Sequence, residues 1–127
     1  MTKEISMKIT NNAKKFITKN MQKDNALILA LNDGSNKYSR LGSCTSAINL
    51  QLVLVDQADQ EFPVKIKNNL DLNFYTSDSE LTYFSSNAVI DEKNGFIILK
   101  DDSGIIDGAM MINDYRHHQN NIMLTQL

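Results

Sequence analysis

The chain has 127 residues, with 13 Lys+Arg against 15 Asp+Glu for a net charge of −2. Hydrophobic residues make up 42% and charged residues 22%, the composition of an ordinary soluble protein of single-domain length. It holds no basic excess for nucleic-acid phosphates and no run of about 18 apolar residues to span a bilayer. The stretch from Met1 to Met7 lacks a signal peptide's apolar core. A cytoplasmic protein with neither nucleic acid nor membrane as partner is expected. Cys44 is the single cysteine, which excludes an intrachain disulfide and any Cys-only metal site within one chain.

Ile5 to Ile9 alternates, and Thr10 then offers an N-cap oxygen. Ala13, Phe16, Ile17 and Met21 recur at helical spacing, with Lys14, Lys15, Lys19 and Lys23 on the other side. A helix is predicted from Thr10 to Met21, ending by Gln22–Asn25, with those apolar residues facing inward. The period then changes to two. Ala26 to Leu31 is an apolar run closed by Asn32-Asp33-Gly34, a strand and its turn. Ile48, Leu50, Leu52 and Leu54 alternate with Asn49, Gln51, Val53 and Val55. Val64 and Ile66 alternate with lysines, and Leu70, Leu72 and Phe74 with Asp71, Asn73 and Tyr75. Each set predicts a strand.

Asp78 to Phe84 reads as a helical turn capped by Ser77 or Asp78, with Leu81 and Phe84 inward. Ala88-Val89-Ile90 and Phe96 to Leu99 flank Asn94-Gly95, the signature of a β-hairpin. Ala109 to Ile112 predicts a last strand. One helix with seven or eight short strands makes a mainly β, α+β domain. It is expected over residues 1–114, with a C-terminal tail over 115–127.

Chemistry-bearing residues are few. Cys44 sits in Leu41-Gly42-Ser43-Cys44-Thr45-Ser46, a small polar loop that suits an exposed, reactive thiol; a small buried residue is the competing reading. His117-His118 point to opposite faces if extended and have no partner at metal-site spacing, so an exposed polar tail is expected. Asp101, Asp102 and Asp107 lack the ligand order of a calcium loop and read as turn carboxylates. Ser43, Ser85 and Ser86 have no nucleophile-elbow context. Tyr38-Ser39-Arg40 reads as a solvated loop with some capacity for an anion or partner contact. No acid–base or nucleophile constellation of an enzyme emerges.

The order of these segments resembles one family. Met7-Lys8-Ile9-Thr10-Asn11-Asn12-Ala13 opens the helix, and Gly42-Ser43-Cys44-Thr45-Ser46 enters a long alternating strand. Leu72-Asn73-Phe74-Tyr75 precedes a Ser-rich turn, and Val89-Ile90-Asp91 leads to Gly95-Phe96-Ile97-Ile98. This is similar to the A-type iron–sulfur carriers, the HesB-like family. Its members begin with Ile-Thr and an Ala-bearing helix, and carry a Gly-Cys-Ser-Gly loop, an Ile-Asp pair and a Gly-Phe strand before a C-terminal Cys-Gly-Cys.

The resemblance spans Ile5 to Gly104, with departures. Thr45-Ser46 replaces Ser-Gly, no Asn-Pro-Asn follows Phe96, and Ile105 to Leu127 contains no Cys. The chain is thus expected to be a degenerate member. The resemblance implies a compact HesB-like β-barrel or sandwich and iron–sulfur assembly work as carrier, accessory or iron binder. Cys44 would be the sole thiolate ligand for a weakly held iron ion or cluster. Assembly or client proteins, and a second copy in a homodimer, are the implied partners. A cluster takes about four ligands, so the others would come from a second subunit, small thiols, His117, His118 or a client. The competing function is a non-catalytic binding or regulatory module that kept the fold and lost the cluster.

Overall fold

The computed structural model describes residues 5–19, 21–39, 48–85 and 87–117. Ten elements follow in order: β1 (Ile5–Ile9), α1 (Asn11–Ile17), β2 (Ala26–Leu31), β3 (Leu50–Val55), β4 (Val64–Asn68), β5 (Phe74–Thr76), α2 (Asp78–Leu81), β6 (Ala88–Lys93), β7 (Phe96–Asp101) and β8 (Gly104–Asp114). The strands close into a barrel ordered β1-β4-β5-β2-β3-β8-β7-β6. β1 runs parallel to both its neighbours, and β2–β5 and β3–β8 are also parallel. The remaining pairs are antiparallel. The mainly β expectation holds, in its barrel form.

Period-two alternation fills the interior. Leu27, Leu29 and Leu31 of β2 meet Leu50, Leu52 and Leu54 of β3, with Phe74, Ile90 and Leu99 beside them. The opposite faces of β2 and β3 are buried as well. Ala26, Ile28, Ala30, Val53 and Val55 lie beneath Tyr38 and Phe62, flanked by Tyr75 and Tyr115. Both strands are therefore buried at every position, as continuous apolar runs on a two-sided core require.

The N-cap of α1 is as predicted, the Thr10 oxygen accepting the Ala13 amide at 3.2 Å. The predicted helix to Met21 is too long. Thr18 turns its hydroxyl back onto the Lys14 carbonyl at 2.8 Å, and a turn from Met21 to the Thr18 carbonyl redirects the chain toward β2. Only Ala13 and Ile17 of α1 are buried; Phe16, expected inward, is 46% exposed. The inward face of this two-turn helix is a narrow stripe, Ala13 and Ile17, and Phe16 lies outside it. The predicted Leu70–Tyr75 strand is likewise shortened. The Asn68 carboxamide accepts the Leu70 and Leu72 amides and donates to the Leu72 carbonyl, holding a turn around Asp71 at φ +55°.

The helical turn after Ser77 forms as α2, so the described residues hold two short helices rather than one. The hairpin at Asn94-Gly95 forms as predicted, with φ of 55° and 88° at its two central residues, the positive pair a type I′ turn needs. The final strand starts earlier than Ala109, at Gly104, and pairs with β7 across a bulge near Leu99. No helix among the described residues is long and apolar enough to cross a membrane.

Candidate functional site

Cys44, the residue the sequence singles out, lies with Ser43 outside the described residues, as do Ser86 and His118. The residues on either side of its segment are described, and they converge. The β2–β3 ladder continues one residue past β2, where the Asn32 amide donates to the Asn49 carbonyl at 2.8 Å. The connection bearing Cys44 therefore leaves and returns to the barrel side by side.

Three side chains secure that junction. Glu80, 1% exposed, accepts the Leu31 amide at 2.9 Å and the Ser77 amide at 3.2 Å, and also takes the Ser77 hydroxyl. Gln51, fully buried, donates to the Tyr38 carbonyl at 2.8 Å and accepts from Asn113 at 2.7 Å. Asp107 accepts the Leu50 amide at 2.9 Å. A buried polar group without a partner is costly, so these bonds are what let Glu80 and Gln51 sit there. Gln51 alternates with the apolar Leu50, Leu52 and Leu54 face of its strand, and the aromatic layer over β2 and β3 encloses it. Glu80 gave one unread signal, since Ser77-x-x-Glu80 has the spacing of a capping box, which forms.

Tyr38 corrects the reading of a solvated loop. It is 8% exposed, 5.1 Å from the Tyr115 ring and 5.7 Å from Phe62, and its hydroxyl donates to Asp59 at 2.5 Å. Burial and the Asp59 carboxylate push the phenol well above its ordinary range. Burial pushes Asp59 up, but hydrogen bonds from Lys37 and Tyr38 outweigh it and hold the carboxyl below its ordinary value. These groups stabilise the outer layer.

Asp101 and Asp102, read as turn carboxylates, behave as such, whereas Asp107 lies within β8 and is no turn residue. Asp101 takes the Ser85 amide and hydroxyl and the Ser103 amide, and the Ser85 amide is the leading cause of its lowered pKa. Asp102 accepts from Asn87, and Asp107 also accepts the Ala109 amide. His117 is exposed, its Nδ1 2.9 Å from Asp56. Just before it, Arg116 is buried, paired with Asp114 at 2.7 Å and bonded to Asn25 at 3.1 Å. Among the described residues no three His, Cys, Asp or Glu side chains gather as a metal site.

A family model described as "Iron-sulphur cluster biosynthesis" matches residues 5–114, from the first strand to the last. Two crystal structures share the fold, each described as a "putative Fe-S biosynthesis protein". One, from Lactobacillus acidophilus, is 30% identical with a TM-score of 0.74, over 96% of this chain and 97% of that one. The other, from Lactobacillus salivarius, is 23% identical with a TM-score of 0.71, over 88% and 99% of the two chains. A search of curated proteins finds no match.

Proposed function

Because the chain belongs to the iron–sulphur cluster biosynthesis family, we propose that it is a non-enzymatic iron–sulfur assembly protein, a carrier or accessory that holds iron or a cluster as cargo through Cys44. The observation that carries this reading is the family match across the whole barrel, together with a cysteine in the connection that the barrel anchors at both ends. A thiolate is the soft ligand that iron and cluster edges take. In this reading the protein works in the cytoplasm, where assembly or client proteins meet it.

One anchor sets the terms of binding. A cluster needs about four ligands, the chain has one Cys, and the described carboxylates and His117 form no metal group. Cargo is therefore bridged to a second copy, a small thiol or a client, and it exchanges readily. The same ligand count supports a second reading, a binding module that kept the barrel and lost the cluster. Iron and sulfide per chain after anaerobic reconstitution separate the two. The carrier reading expects substoichiometric iron in wild type and its loss in Cys44→Ala. Equal, negligible iron in both proteins, with the barrel intact by circular dichroism, would establish the module.

A further inference from the structure

We infer that the barrel end closed by α1 is a docking face for an acidic protein surface. The lysines carry the argument. Lys14, Lys15, Lys19 and Lys23 are all exposed, and none of their ammonium groups is in an ion pair or hydrogen bond among the described residues. Residues 11–24 hold these four lysines and one acid, Asp24, a charge of +3 in a chain whose total is −2. The rest of the molecule therefore carries −5.

Phe16 stands among these lysines at 46% exposure, and Phe96, at the tip of the β6–β7 hairpin, is 56% exposed. The two belong to the same end of the barrel. Thr10, which caps α1, bonds the Ile90 carbonyl at 3.0 Å and Asp91 at 2.7 Å, just before that hairpin tip. Lys23 comes to the same end, where its carbonyl accepts from Asn73 at 3.4 Å.

Every strand is paired on both sides, so a partner cannot bind by adding a strand and must be read through side chains. An exposed aromatic such as Phe16 among like charges suits a surface of opposite charge with apolar contacts of its own. A protein fits better than the other polyanions. Residues 11–24 and 93–96 include no arginine, the residue whose planar fork matches phosphate. A long nucleic acid would run from this patch onto the acidic remainder. A membrane would need a broad apolar helix face, whereas the buried side of α1 is already committed to the barrel.

The test uses the full chain and a defined probe, a glutamate-rich peptide with leucine at every fourth position. Backbone NMR shifts on titration should map to residues 11–24 and 93–96. Affinity should fall about tenfold in the double variant Lys14→Glu, Lys15→Glu and about threefold in Phe16→Ser. It should weaken steeply with salt. All three positions are exposed, and unchanged circular dichroism and unfolding midpoints confirm that the variants remain folded. Absent binding, shifts at another face, or unchanged affinity in the charge-reversal variant would each overturn the inference. So would tighter binding of phosphatidylglycerol vesicles or duplex DNA through the same lysines, which would assign the face to phosphate. None of these readouts depends on iron, so the proposal stands or falls separately from the role of Cys44.

Discussion

Replacing Glu80 with alanine tests the junction beside the Cys44 connection. The carboxylate takes the Leu31 and Ser77 amides from a position 1% exposed. Hydrogen bonds to a charged group are worth about 1.5–3 kcal/mol each. Water can re-solvate Ser77, which is only partly buried, but reaches the Leu31 amide poorly. The expected cost is therefore about 3–4 kcal/mol. For a chain of this size, with about 3–5 °C lost per kcal/mol, the unfolding midpoint drops by about 9–20 °C. Glu80→Gln keeps an acceptor oxygen and the shape, and should cost about half as much. Asp78→Ala, on the exposed side of the same helix, should stay within about 0.5 kcal/mol. Urea and thermal unfolding of the three variants provide the comparison. A Glu80→Ala protein within about 1 kcal/mol of wild type would show that the amides find other partners and that Glu80 does not hold α2 to β2.

Two further outcomes follow from particular geometries. Gly95→Ala should destabilise by about 1–2 kcal/mol in denaturant melts, wholly through the backbone, because a Cβ there meets nothing within 4 Å while φ is +88°; a neutral substitution would contradict the type I′ turn. Asp91 is held below the ordinary carboxylate range by the Thr10 hydroxyl first, then the Glu92 amide and Lys100, against a smaller opposing effect of burial. A depressed native pKa contributes stability above the unfolded value near about 3.9, and that stability is lost as pH falls through the native value. The stability gap between wild type and Asp91→Asn should thus stay flat above about pH 5 and narrow below about pH 4; a gap that narrowed on raising the pH would reverse the sign of this account.

The barrel strands were legible where alternation or turn chemistry is local. β2 and β3 announce themselves as apolar or alternating runs, and Asn94-Gly95 marks its hairpin. What the residues could not reveal depends on partners distant in sequence. Nothing local in the sequence shows that Tyr38 and the rest of the aromatic layer cover Gln51. Phe16 looks inward by its spacing, but the core takes only Ala13 and Ile17 of α1. The Leu70–Tyr75 alternation is broken by one carboxamide, Asn68, which competes for the strand's amides. As for the site, Cys44 came from motif and family resemblance, and its position lies outside the described residues; Glu80 was readable only as an S-x-x-E spacing.

That junction also explains why a carrier of this kind would borrow its ligands. Affinity for a metal grows with the number of ligands held in place together. Three polar side chains at the junction are already committed to other groups: Glu80 to Leu31 and Ser77, Asp107 to Leu50 and Ala109, Gln51 to Tyr38 and Asn113. Turning one of them toward iron would leave a backbone or amide group without its partner, at a cost of about 1–3 kcal/mol each time. A thiolate from a second copy or a client carries no such penalty. On the reading proposed for Cys44, the completing ligands therefore come from outside the chain. Loss of cargo then depends on how long that other molecule stays.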